Sequence, residues 1–290
     1  MRSDVEQAVA LLKEGDDTGL EKALSLLQQA VFAFGMRICG HREDAEDTAQ
    51  EVLIKAIPYL PKFDNSRALA KWLYTVAKNR CLMSRRKSKF APKQELSLDA
   101  LMPDREDLEQ LGNSSIPDPE KSTIRGEYTQ RLREAIRALP PHYRIVLVLR
   151  DMEGFTDEEV GEITGLRPGT VRIRLHRARL FLRRELEPKQ KRARSQKSAT
   201  APSAPSRDGR CRKMFAELSD YLDGELDDFS CEEIEAHLEG CEPCKRFLNS
   251  LRAVIQTCQS SPAECPDRAK AANLRRELLA TYSRALAHQQ

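Results

Sequence analysis

The chain has 290 residues, of which 32% are charged and only 6% aromatic, with a formal net charge of +3. That length gives room for two or three compact domains, and so few aromatics suit small helical units better than one large core. No run of eighteen apolar residues occurs, which excludes a membrane-spanning helix.

The modest total charge hides strong segregation. Residues 71–93 hold eight basic side chains and no acidic one, and residues 167–197 hold twelve basic and two acidic. Residues 211–250 reverse the sign, with eleven acidic and four basic. Two cationic blocks predict two contacts with nucleic acid, and the acidic block predicts a partner for basic surface. The opening "MRSDVEQAVALLKEG" carries Asp4 and Glu6 early and lacks a cleavable apolar segment. A cytoplasmic protein is expected, its eight cysteines mostly reduced thiols or metal ligands.

In chain order, residues 1–90 read as a helical domain. "GLEKALSLLQQAVFAFGMRIC" and "REDAEDTAQEVLIKAIPYL" place apolar residues at three- and four-residue spacing. Cys39 and Cys81 read as helix-packing residues. Pro58, Pro61 and "KFDNS" break the pattern as a loop, and "ALAKWLYTVAKNRCLMSRRKSK" resumes it as a helix with a basic tail. Residues 91–125, with four prolines and an acidic bias, form a linker holding at most one helical turn. Residues 126–187 form a second helical domain, in which Pro140 and Pro141 divide the first two helices. Residues 188–210 are basic and then rich in Ser, Ala and Pro, which is the composition of a flexible tether. An acidic module follows at 211–250, and a tail at 251–290 includes an amphipathic helix over 266–288.

The most informative stretch is "TDEEVGEITGLRPGTVRIRLHRARLFLRR", residues 156–184. Thr156 and Glu159 have capping-box spacing for a first helix, and Val160 and Ile163 supply its apolar side. Gly165 permits a sharp turn, and Pro168 suits the first position of a second helix. Val171, Leu175, Ala178 and Leu182 should face inward, leaving Arg172, Arg174, Arg177, Arg179, Arg183 and Arg184 largely outside that stripe. A helix pair with a glycine turn and a cationic second helix is suited to enter a DNA major groove. The bland alternative is a helical hairpin with a solvated charged face.

Cys211, His237, Cys241 and Cys244 form the pattern C-x25-H-x3-C-x2-C. Gly240 and Pro243 break the chain between ligands, so the set converges at a helix corner as a closed Cys3His site for one structural or regulatory zinc ion. Zinc would contribute on the order of 10 kcal/mol to so small a fold. Reduced core cysteines are the alternative. Four protein ligands leave no open position for water, so a zinc hydrolase is disfavoured and the chain reads as no enzyme. Cys231, Cys258 and Cys265 fall outside the pattern as spare thiols, and redox exchange with the zinc thiolates is a secondary reading.

At this point a family resemblance emerges. "DAEDTAQEVLIKAIPYLPKFDNSRALAKWLYTVAKNR" resembles region two of the extracytoplasmic-function (ECF) group of sigma-70 factors. "LREAIRALPPHYRIVLVLRDMEGFTDEEVGEITGLRPGTVRIRLHRARLFLRREL" resembles their region four, and the linker joins the two with no region three. "EEIEAHLEGCEPC" with "YLDGEL" resembles a zinc-binding anti-sigma domain, here fused in cis. The resemblance implies an all-α protein with two small sigma domains and a helical zinc-binding domain. Its implied partners are core RNA polymerase and promoter DNA, with a separate regulator of the C-terminal domain and no membrane.

Site residues follow from the same resemblance. Asp44, Asp47, Gln50 and Glu51 would dock the polymerase clamp, a solvated helix face being the alternative. The loop Lys62, Phe63, Asp64, Asn65, Ser66 and Arg67 would capture a base flipped from the −10 element, where strand opening exposes a π-face and a Watson–Crick edge. Trp72 reads as core, with contact to unstacked DNA the alternative. Lys78, Asn79, Arg80, Arg85, Arg86 and Lys87 would lie along the duplex or melted strand, and Met83 departs from the usual polar residue.

In region four, Arg172, Ile173, His176 and Arg177 would face bases of the −35 element, and Arg167, Thr170, Arg174 and Arg179 would meet phosphates. Ile173 replaces a small polar residue common in the family, and offers only apolar contact, for example to a thymine methyl. His176 has a second reading as a partly buried helix residue. The implied function is a transcription-initiation sigma factor modulated by its C-terminal domain. A self-sufficient helix-turn-helix regulator with a metal or redox sensor is the alternative, and it leaves residues 1–90 idle.

Overall fold

The structure is a computed structural model that describes residues 2–14, 17–63, 65–86, 95–102, 122–186 and 209–287. Helices account for the regular structure of those residues, and no strand occurs among them. The chain packs as two compact units built from discontinuous segments: 1–92, 148–167 and 262–290 in one, 93–147 and 168–261 in the other. The division does not follow the expected chain-order domains. The segment carrying the first helix of the DNA-binding pair groups with the N-terminal domain, as does the C-terminal tail beyond residue 261.

In the first unit, helices α1 (Arg2–Glu14), α2 (Asp17–Cys39), α3 (Arg42–Ala56) and α4 (Ser66–Arg86) form a bundle. Its core is aliphatic, with Leu24, Leu27, Val31, Val52, Leu69 and Leu73 buried. Gly35 lets α2 and α3 approach closely, since a Cβ there would stand 3.2 Å from the Cα and Cβ of Ala45. A 3-10 turn, Ile57–Lys62, connects α3 to the loop before α4. Cys39 and Cys81 form a buried disulfide between α2 and α4, with Cα atoms 5.3 Å apart. Both are buried in the helix packing as read, and the bond corrects only the expectation of reduced thiols; the two helices pass close enough at these positions for it to close.

A later segment of the chain completes this bundle. The π-turn Val148–Met152 leads through Glu153 and Phe155 to helix α8 (Asp157–Thr164). The Glu153 side chain is fully buried. It accepts hydrogen bonds from Arg37 at 3.0 Å and from the Tyr74 hydroxyl at 2.8 Å. Phe155 meets the Tyr74 ring edge-on at 5.6 Å. The unit ends with α13 (Arg268–Ala287), which packs on α2 and α3 through Ala271, Leu274 and Leu278.

The second unit holds a short turn α5 (Leu98–Leu101), then α6 (Ser122–Ala138) and α7 (Pro141–Leu147). Arg144 closes the α6 end by donating to the Arg137 carbonyl and to the Leu139 carbonyl at 2.9 Å. Helix α9 (Pro168–Leu186) packs on α6 and α7, burying Val171, Leu175, Ala178 and Leu182 as the spacing predicts. Helices α10 (Gly209–Asp223), α11 (Asp228–Gly240) and α12 (Glu242–Ser260) follow, with Phe215 and Phe247 in edge contact at 4.8 Å.

Burial of Glu153 raises its carboxyl pKa, and the Arg37 charge with the Tyr74 hydrogen bond pulls the other way. Arg37→Met should therefore leave a buried acid without its counter-charge and lower stability by about 3–5 kcal/mol. Urea unfolding checks this, with Glu153→Gln expected to recover part of the loss in the double variant.

Candidate metal centre and nucleic-acid interfaces

The end of α11, the start of α12 and the first turns of α10 bring Cys211, His237, Cys241 and Cys244 together. Their ligand atoms all lie within 4.8 Å of one another. His237 Nε2 stands 3.7 Å from Cys211 Sγ and 3.3 Å from Cys244 Sγ. A tetrahedral zinc with ordinary bond lengths requires N···S edges of about 3.5 Å, so the donor set fits that ion. Burial, hydrogen bonding with Cys241 and the charges of Cys211 and Cys241 push the Cys244 thiol well above its ordinary range. A bound cation would be what lets these three sulfurs ionise together. Cys231 and the exposed Cys265 stand outside the cluster, and Cys258 is buried on α12.

In the second unit the expected base-reading helix is α9. Arg167 and Ile173 are exposed, and Thr170, Arg172, Arg174 and Arg177 are half-buried. Arg177 donates to the Tyr143 hydroxyl at 3.5 Å, and Arg172 stands 4.0 Å from Glu225. Two residues depart from the expectation. Arg179, read as a phosphate contact, is 1% exposed and forms a double ion pair with Asp223 at 2.7 and 2.8 Å, plus a bond to Ser219 Oγ at 2.8 Å. His176 is 6% exposed, which departs from the base-facing reading and agrees with the second reading as a buried helix residue; neither ring nitrogen has a hydrogen-bond partner among the described residues. Arg183 is also buried, stacked over Phe247 at 4.4 Å and bonded to Ser250 at 2.8 Å. The two arginines share a physical reason. Helices α10 and α12 lie on the back of α9, where Asp223 neutralises one guanidinium and an aromatic face accepts another.

In the first unit, Thr156 accepts from the Glu159 amide and Glu159 returns the bond, so the capping box forms as spaced. Gly165 takes a left-handed conformation, φ 75°, as the turn demands. Trp72 is half-buried between Tyr59 and Phe63, with ring centroids 6.2 and 6.3 Å away. Asn65 and Asn79 are exposed, and Ser66, Arg67, Lys78 and Arg80 are half-buried. Asp64, Lys87 and the side chains of Lys62, Arg85 and Arg86 lie outside the described residues.

On the expected polymerase face of α3, Asp47 and Gln50 are exposed and Asp44 and Glu51 half-buried. Glu51 pairs with Lys55 at 2.7 Å and Arg80 at 2.8 Å, which hold its carboxyl below the usual range against burial. Helix α13 meets this face: Lys270 pairs with Glu46 at 2.6 Å, and Gln50 donates to Glu277 at 3.4 Å. The sequence reading assigned α13 no role, and its amphipathic spacing was the signal that it needed a partner surface.

Family models match in the order the geometry suggests: Sigma-70 region 2 over residues 24–90, Sigma-70 region 4 over 129–182, and a zinc-finger family over 211–245. The chain is 30% identical over 189 residues to the ECF RNA polymerase sigma factor SigW of Bacillus subtilis, covering 64% of this chain and 98% of that relative. It belongs to the ECF sigma factors of the sigma-70 family. The sigma factor is also 31% identical over 150 residues to the ECF RNA polymerase sigma-E factor of Escherichia coli K12, covering 50% of this chain and 75% of that one. Among solved structures it is similar to the sigma factor RpoE of Bartonella quintana, crystallised with the anti-sigma factor NepR. That similarity has 24% identity and a TM-score of 0.39, over 56% of this chain and 92% of the other. No helix of the sigma factor among the described residues is long and apolar enough to cross a membrane.

Burial, then the charges of Arg179 and Arg177, lower the His176 pKa to about 4. The unfolded histidine takes up its proton near the ordinary pH 6.5, so stability from the neutral ring is complete above that value and is lost as pH falls toward 4. Relative to His176→Leu, the wild type should lose on the order of 3 kcal/mol between pH 7 and 4.5. Urea unfolding at a series of pH values measures the difference, and parallel profiles for the two proteins would contradict it.

Proposed function

We propose that this sigma factor binds core RNA polymerase and directs it to promoters, and that its C-terminal segments restrain it in cis. Region two would dock the polymerase clamp through Asp44, Asp47, Gln50 and Glu51 and read the −10 element from the 62–67 loop and α4. Region four would read the −35 element from α9. The order of the two sigma regions, with 98% of one ECF relative covered, supports the first part. A lone helix-turn-helix regulator would leave residues 24–90 without a task. The chain acts on this reading as a regulator of transcription in the cytoplasm, where polymerase works, rather than as an enzyme.

The observation that carries the restraint is Arg179. A phosphate-contacting arginine cannot reach DNA while both its terminal nitrogens are held by Asp223 inside the α10–α12 module. One zinc ion on Cys211, His237, Cys241 and Cys244 would fasten the three helices that present Asp223, Ser219 and Phe247 to α9. Covalent attachment of the module to α9 would set an effective concentration on the order of millimolar, so even weak docking is well populated. Metal loss or a competing partner then relieves the restraint.

Truncation after Pro188, followed by run-off transcription with core polymerase, tests the sign. Greater transcript yield than the full chain is expected; lower yield would mean that the module activates, and equal yield would refute modulation. Failure of both forms to co-purify with polymerase would remove the sigma assignment itself. The full chain should also carry one zinc per molecule by atomic absorption, and Cys244→Ser should lose it with most of the helicity of residues 209–260.

A further inference from the structure

Arg80 of α4 pairs with Glu51 on α3, but three other cations of α4 find their partners on α8. Arg67 makes a two-pronged ion pair with Glu159 through its Nε and Nη2. Lys71 Nζ stands 2.5 Å from Glu162. Lys78 Nζ donates to the Ile163 carbonyl at 2.7 Å. Residues 67, 71 and 78 fall on one side of a 3.6-residue helix, and 159 and 162 on one side of another, so the two helices match charge to charge. The third contact places an ammonium against the negative end of the α8 dipole.

The chemistry of that strip is the chemistry of a nucleic-acid backbone. Spaced anionic oxygens face a row of long cationic side chains, with a fork-shaped carboxylate on the arginine where a phosphate would sit. Glu159 is held in place twice over, since the same carboxylate closes the capping box onto the Thr156 amide. Burial pushes its carboxyl up, but bonding to Arg67 and to Thr156 outweighs this and leaves it below the ordinary range. It therefore carries its charge at neutral pH. Phe155 and the buried Glu153 anchor the start of α8 in the bundle, so the acidic strip arrives pre-positioned.

We propose that helix α8 is an internal stand-in for DNA: the first helix of region four occupies the region-two cations Arg67, Lys71 and Lys78 and masks the −10 contact surface in the free protein. This rests on the promoter-binding reading of region two, but not on the zinc module, because every residue involved belongs to regions two and four. Promoter contact then requires α8 to leave α4, and each cation it releases becomes available to a phosphate. Polymerase binding, which draws regions two and four to separate promoter elements, supplies the reason to open.

The test uses the full zinc-loaded chain without polymerase. A water-soluble carbodiimide, which joins an amine to a carboxylate only in direct contact, should link Lys71 to Glu162, read by mass spectrometry of the digest. Glu159→Gln with Glu162→Gln removes both anions while glutamine keeps the capping box. The variant should bind a fluorescein-labelled 30-base-pair duplex of arbitrary sequence about tenfold more tightly at low salt. Its log–log salt dependence should steepen by about 2, as two freed cations each displace counterions.

Glu127→Gln with Glu134→Gln makes the same charge change on exposed positions of α6 and should alter neither slope nor affinity comparably. Absence of the 71–162 link, or equal affinity and slope in the two double variants, would overturn the proposal. Because polymerase is absent throughout, failure to join that enzyme is read in a separate experiment.

Discussion

One buried carboxylate organises the first unit. Glu153 sits 116 residues from Arg37 and 79 from Tyr74, yet its hydrogen bonds to both cross the centre of the α2–α4 bundle. An acid in that position is tolerable only while the guanidinium and the hydroxyl stay with it. The bond network thus locates the backbone at residue 153, and Phe155 and the capping box fix everything from there to Thr164. Which side chains α8 offers to α4 is a consequence of that single anchoring point.

The second unit rests on a comparable economy. Asp223, Ser219 and Phe247 come from helices that a domain of this size would hardly hold together by apolar burial alone. The Cys3His cluster gathers three helices at one point, where an ion would cross-link them, and these helices receive Arg179, Arg183 and the α9 back face. Cationic side chains that look solvated in a linear reading become structural members once a counter-charge or ring is brought to them.

Much of this was legible in the sequence, for identifiable reasons. The capping box, the left-handed Gly165, Pro168 at a helix start and the Val171–Leu175–Ala178–Leu182 stripe are local signals, and each occurs where its spacing put it. The convergence of Cys211, His237, Cys241 and Cys244 was legible because ligand spacing is itself a geometric statement. What escaped was non-local. The burial of Arg179 depends on a helix some forty residues downstream, and the Arg67–Glu159 pair on a separation of 92. No periodicity of α4 or α9 encodes those partners. The Cys39–Cys81 bond escaped for the same cause, since two helix-face cysteines 42 residues apart look like any other small apolar pair.

That bond has a topological consequence. Residues 39 to 81 form a covalently closed ring, and α3, with the loop after it, lies wholly inside. While the sulfurs are joined, the segment expected to meet polymerase cannot peel away as a free arm; it is leashed at both ends. Thermal opening of the bundle would then expose a loop rather than a tail, with correspondingly less entropy to gain.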